Sequence, residues 1–209
     1  MLGGRLAHDL TGGSRVVVPV FGLACCDPAV GGAPMPVVPE IQAVLDQINA
    51  APIDFDDLDP ATMRMLYEAL TATDGEPAVV GEVRDTVAPG PAGDIPVRLY
   101  RPDGDGPVPV LVWYHGGGWV IGSVAASDAT ARKLCARAGI AVVSVEYRLA
   151  PEHPFPAAPD DAWAALRWVV DTADELGVDP ARIAVGGDSA GGNLAALVAL
   201  RARDEGSPA

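Results

Sequence analysis

The hydrophobic positions change period once along the chain. Over Pro39–Ala50 the apolar residues Ile41, Val44, Leu45 and Ile48 recur at the i, i+3, i+4, i+7 spacing of an amphipathic helix. Pro60–Leu70 repeats the theme with Met63, Leu66 and Leu70. Then the period shortens. Val79–Val87 and Ile95–Tyr100 read as strands, and the turn-rich Pro89-Gly90-Pro91-Ala92-Gly93 between them predicts an antiparallel hairpin. Three short β-branched runs follow, Val108–Tyr114, Ile140–Tyr147 and Arg182–Val185, which suit strands buried on both faces of a parallel sheet. Helical segments Ala125–Ala138 and Asp160–Leu176 separate them, and Ala190–Arg203 follows the last. Ser127 or Asp128 is expected to cap the first of these helices and Gly139 to end it; Gly177 ends the second. Strands and helices alternating at these lengths predict a doubly wound α/β sheet, preceded by a helical addition over residues 35–75.

Residues 1–34 show no clear period. Arg5 and Arg15 ahead of the apolar run Val16–Cys26 would suit an export signal, with Cys25 as a lipid-modified residue. Asp9, Pro19 and the absence of an aliphatic residue three places before Cys25 argue against it. From Met35 the text Met-Pro-Val-Val-Pro-Glu-Ile-Gln resembles a natural protein start, so residues 1–34 are expected to be disordered or absent from the native product. No apolar run reaches the ~20 residues that a membrane-spanning helix needs.

Composition narrows the partners. Hydrophobic residues make up 49% and charged residues 20%, the balance of a chain with a packed core. The formal net charge of −14, from 28 acidic and 14 basic residues, argues against nucleic acid and anionic membrane, because a phosphate surface needs a basic footprint. Cys25, Cys26 and Cys135 are an odd number without a repeating spacing, and no second Cys or His pair completes a metal site. They read as free thiols of a reducing, cytoplasmic compartment, with no metal and no organic cofactor.

The candidate chemistry lies in three loops that follow strands. Gly187-Asp188-Ser189-Ala190-Gly191-Gly192 comes directly after an apolar strand and directly before a helix, the setting that gives G-x-S-x-G its meaning. A serine on so tight a turn needs small neighbours, which Gly187 and Gly191 supply. The Ala190 N–H would face a developing oxyanion, assisted by the positive end of the helix. His115-Gly116-Gly117-Gly118-Trp119 follows Val108–Tyr114, and the N–H groups of Gly116 and Gly117 are expected to complete an oxyanion hole with Ala190. Losing one such donor typically costs about 3–4 kcal/mol of transition-state stabilisation. The third loop, Tyr147-Arg148-Leu149-Ala150-Pro151-Glu152-His153-Pro154-Phe155-Pro156, is proline-stiffened. Its His153 lies upstream of Ser189 and reads as structural.

With these loops the chain, from about Pro39 to Leu200, resembles the hormone-sensitive-lipase family of α/β-hydrolases, which includes many bacterial carboxylesterases. The resemblance implies an α/β-hydrolase fold with Ser189 as nucleophile and Gly116, Gly117 and Ala190 as the oxyanion hole. It implies that His115 and Gly118 shape the loop, and that His115 is not the general base. The helices within 35–75 would form part of a cap, with Trp119, Leu66 and Tyr67 lining an acyl pocket. Residues 76–209 would be the N-terminal part of the hydrolase domain. The implied reaction is hydrolysis of small to medium acyl esters through an acyl-enzyme, and an amidase would use the same residues.

The family's triad runs Ser, then Asp or Glu, then His along the chain. After Ser189 this sequence offers Asp204 and Glu205 but no histidine. The chain is therefore expected to be truncated after the nucleophile helix, with little activity of its own. The alternatives are an inactive fragment or a small-molecule-binding homologue. The strand Arg182–Val185 would be left as a sheet edge, through which copies of the chain would pair or aggregate.

Overall fold

The computed structural model describes residues 37–50, 58–72 and 75–206, so the expectation for residues 1–34 lies outside the described part. Helix α1 spans Pro39–Ala50 and belongs to a unit of its own, Met1–Leu58. The second unit, Asp59–Ala209, holds everything that follows. It opens with α2, Pro60–Thr71, whose start is dictated locally. Asp59 accepts the N–H groups of Ala61 and Thr62 at 3.0 Å, and Pro60 occupies a position whose N–H would have no partner anyway.

Strands β1, Glu82–Gly90, and β2, Gly93–Arg101, form the antiparallel hairpin, paired from Glu82↔Arg101 to Gly90↔Gly93. The five-residue turn expected at Pro89–Gly93 is thus a two-residue connection, Pro91-Ala92. Gly93 adopts φ +129°, which lets the ladder run up to the turn.

Strand β3 is Val108–Tyr114, α3 Asp128–Ala138, β4 Ala141–Val145, α4 Ala157–Asp171, α5 Ala173–Leu176, β5 Val178–Gly187 and α6 Ala190–Glu205. Helix α3 starts three residues later than its apolar pattern suggests, and Ser127 makes no capping bond. Asp128 is drawn sideways instead, accepting from Tyr100 Oη at 2.8 Å and Arg132 Nε at 2.6 Å. The long helix expected over Asp160–Leu176 breaks at Thr172, whose hydroxyl donates back to Trp168 O at 2.7 Å. Gly139 and Gly177, both at φ +64°, end their helices in the left-handed conformation that glycine adopts without strain.

The sheet order is β1-β2-β4-β3-β5. Only β4, β3 and β5 run parallel; β2 meets β4 antiparallel. The sheet is therefore mixed rather than mostly parallel, with the parallel part at the site. Alternation along β3 sends Val110, Val112 and Tyr114 into the larger core with α4 and α6, and Leu111 and Trp113 into the smaller one beneath α3. Every residue of β4 is buried, which explains why Ala141–Val145 carries no polar alternation beyond Ser144.

Register positions the three loops. Tyr114 pairs with Val145 on one side and Gly187 on the other, so the segments after β3, β4 and β5 leave the sheet side by side at its C-terminal edge. The loop after β4 is fixed by Asp161, which is fully buried and takes the Arg148 backbone N–H at 3.0 Å and its guanidinium at 2.7 and 2.8 Å. Removing one partner of such a pair strands a charge, so Asp161→Ala is expected to cost roughly 3 kcal/mol in urea denaturation. An unchanged midpoint would show that the pair does not anchor the loop.

Candidate active site

Strand β5 passes into α6 through Asp188 and Ser189 with no room to spare. A Cβ added at Gly191 would overlap the carbonyl oxygens of Tyr114 and His115, and one at Gly187 would overlap Tyr114 O and the Gly191 backbone. The turn closes by hydrogen bonds from Gly191 N to Asp188 O at 2.8 Å and from Asn193 N to Ser189 O at 3.1 Å. Ser189 itself sits at φ +48°, ψ −117°, a conformation that costs a non-glycine residue of the order of 1–3 kcal/mol. The residue is exposed, and among the described residues its Oγ has no hydrogen-bond partner.

The loop after β3 is equally constrained. Gly117, Gly118 and Trp119 follow one another at φ +121°, +59° and +60°, and a Cβ at Gly117 would overlap Ile121 O. Gly117 O accepts from Val120 N at 3.0 Å and Ile121 N at 2.9 Å, while Trp119 O accepts from Ala150 N at 2.8 Å. The Gly116 N–H, expected as an oxyanion donor, is committed instead to Asp188 Oδ1 at 2.9 Å. That bond ties the glycine loop to the serine turn, and a Cβ on Gly116 would collide with the same carboxylate. Among the described residues the N–H groups of Gly117, Gly118 and Ala190 have no acceptor. Gly118, expected only to shape the loop, thus carries a free donor.

His115 is buried beneath this loop. Its Nδ1 lies 2.8 Å from Gly116 O, which makes Nδ1 the protonated nitrogen, and its ring stacks on Tyr147 at 4.3 Å and 15°. Tyr147 Oη donates to His115 O at 2.6 Å. The remaining nitrogen, Nε2, is enclosed without a partner. Burial is the main influence on the imidazole and holds its pKa below the usual range, so the ring is neutral near pH 7. His153 is exposed at a cleft of about 400 Å³ that Arg64, Glu146 and Glu152 also line.

Helix α2 stands over the same region. The Tyr67 hydroxyl pKa is raised by burial first and by the Asp188 carboxylate second. Trp119 and Leu66 are 40% and 39% exposed. Arg64 donates through Nε to Val120 O at 2.8 Å and through Nη2 to Ala150 O at 2.9 Å, and grips both oxygens of Glu152 at 2.9 and 2.7 Å. That guanidinium holds the Glu152 carboxyl down to about 2. Arg64, Glu152 and the bridging role of Asp188 escape sequence reasoning. An arginine between Met63 and Met65 on an exposed helix carries no local signal, and the Asp188 side chain matters only once the register brings Gly116 beside it. Among the described residues no three His, Cys, Asp or Glu side chains come close enough to hold a metal.

This fold and site define a class. Residues 111–209 match the family described as α/β hydrolase fold, and the chain has that fold. Similar proteins include several that are named carboxylic ester hydrolase, carboxylesterase or esterase. The chain is 52% identical over 153 residues to carboxylic ester hydrolase LipN of Mycobacterium tuberculosis, a match covering 71% of this chain and 40% of LipN. Carboxylesterase NlhH of the same species is 58% identical over 120 residues, covering 55% of this chain and 36% of NlhH. A hyperthermophilic esterase from Pyrobaculum calidifontis superposes with a TM-score of 0.76 at 46% identity, over 82% of this chain and 56% of that one. The chain thus spans well under two thirds of each of these proteins.

Two outcomes follow from the geometry. Ser189→Gly relieves the backbone strain and Ser189→Ala keeps it, so the glycine variant should be the more stable by about 1 kcal/mol in chemical denaturation. Equal stabilities would mean that the turn is unstrained. The second concerns His115, which is held neutral in the folded state but takes a proton freely when unfolded. Stability should therefore fall as pH drops through the unfolded value of about 6.5, and that slope should vanish in His115→Asn. A slope that survives the substitution would place its origin elsewhere.

Proposed function

We propose that Ser189 is the nucleophile of a carboxylic ester hydrolase. The observation that carries this is the strained serine at φ +48° beside three N–H groups without an acceptor among the described residues, those of Gly117, Gly118 and Ala190. In this reading Ser189 Oγ attacks the acyl carbonyl, and the free N–H groups receive the oxygen as it becomes negative. The C–O bond to the alcohol breaks, the alcohol leaves with a proton, and an acyl-serine remains. Water then attacks the acyl carbon, releasing the acid and restoring the hydroxyl. No metal or organic cofactor enters these steps.

The attack needs a proton acceptor. His115 has only an enclosed Nε2 to offer, and residues 190–209 contain no histidine. Among the described residues no base is hydrogen-bonded to Ser189 Oγ, and without one the hydroxyl is a weak nucleophile. In this reading Tyr67, Leu66 and Trp119 line the acyl pocket, which favours small to medium acyl groups, and α2 is part of a cap. The outer side of β5 faces no strand among the described residues, which favours self-association of the chain. The odd cysteine count supports a cytoplasmic setting. A second reading rests on the Ser189 hydroxyl, which has no hydrogen-bonded base among the described residues: the chain binds small esters without cleaving them.

A fluorophosphonate probe separates the two readings. The hydrolase reading expects slow labelling confined to Ser189, abolished in Ser189→Ala and reduced about a hundredfold in Gly117→Ala. An unlabelled Ser189 in folded protein would leave the binding reading.

A further inference from the structure

The oxyanion loop poses a question of stability. Gly117, Gly118 and Trp119 hold three successive positive φ angles, one of them on a bulky residue, and such a run persists only where its surroundings over-determine it. Its carbonyls show what does so. Gly117 O is held from within the loop by Val120 and Ile121, and Trp119 O by the backbone of Ala150. Val120 O is held from α2 by the Nε–H of Arg64. The same guanidinium reaches Ala150 O, next to the Ala150 N–H that holds Trp119, and grips Glu152 through both oxygens.

We propose that Arg64 is a positioning residue which braces the oxyanion loop and the loop after β4 against α2, and so fixes where the Gly117 and Gly118 N–H groups point. The inference deepens the hydrolase reading and rests on it. One planar group spends four hydrogen bonds on two loops that are far apart in sequence from each other and from its own helix. A lysine could supply the charge but not the fork. The brace also ties Tyr67, one turn further along α2, to the loop whose donors would serve the acyl carbonyl. The side chains of Arg64 and Glu152 are 29% and 53% exposed, so the ion pair adds little to global stability. Its effect belongs to the loop, which separates a positioning role from a merely structural one.

The test compares the full chain with Arg64→Lys and Arg64→Met by amide hydrogen exchange, and by the rate of fluorophosphonate labelling at Ser189. In Arg64→Met the amides of Val120, Ile121 and Ala150 should exchange about tenfold faster or more, with β3 and β4 unchanged within about twofold. Labelling should slow by a similar factor, and Arg64→Lys should fall between. Loop exchange that stays within twofold of wild type, or rises no more than in the strands, overturns the proposal. So does labelling at the wild-type rate in Arg64→Met. If wild-type Ser189 is never labelled, the hydrolase reading fails by itself, and the exchange rates still decide whether Arg64 braces the loop.

Discussion

The carbonyl oxygen of Tyr114 is the point on which the site is assembled. It ends β3 opposite Gly187 of β5, and both Gly187 and Gly191 lie so close to it that neither tolerates a Cβ. Parallel pairing sets the two strand ends level, and the absence of side chains lets α6 start directly against β3. The chain then has one way to pass from strand to helix, through Ser189 at a strained φ of +48°. Strain of this kind is stable only where the surrounding packing is stiff, and β3 lies between β4 and β5 with Val110, Val112 and Tyr114 in the main core. The exposed hydroxyl is thus a consequence of core packing one layer below it.

Electrostatics at the site follow from the same contacts. Asp188 accepts the Gly116 N–H through its side chain and the Gly191 N–H through its carbonyl, so one residue links the serine turn to the glycine loop. The carboxylate also raises the Tyr67 and Tyr147 hydroxyls beyond what burial alone does. His115, buried and neutral, serves the loop through its hydrogen bond to Gly116 O and its stack on Tyr147. The bare N–H groups that remain are those that the packed surroundings leave without an acceptor.

Much of this was legible in the residues. The bounds read for Pro39–Ala50 and Val108–Tyr114 match their elements end to end. Gly139 and Gly177 marked helix ends by their left-handed conformation. The break at Thr172 was hidden, since a threonine that bonds back to its own helix looks like any other helical threonine. Ser127 does stand at the cap position of α3, but it makes no capping bond, and Asp128 answers to Tyr100 and Arg132 rather than to its own helix end. At the site, serine and glycines announced themselves as a motif. The commitment of Gly116 to Asp188 did not, because it depends on a side chain 72 residues away. Arg64, reaching loops 56 and 86 residues distant, was invisible for the same reason.

In the proposed hydrolysis Ser189 acts with the Gly117, Gly118 and Ala190 N–H groups while Gly116 stays on Asp188. A crystal structure of the chain with a small alkyl boronic acid tests it most directly, because boron takes the serine oxygen without needing a leaving group. The expected result is a tetrahedral adduct on Ser189 Oγ, with one boronate oxygen against the Ala190 N–H and at least one of the Gly117 and Gly118 N–H groups. The Gly116 N–H should remain bonded to Asp188. An adduct that draws Gly116 away from Asp188, or a boronate oxygen with no backbone donor facing it, would contradict the claim.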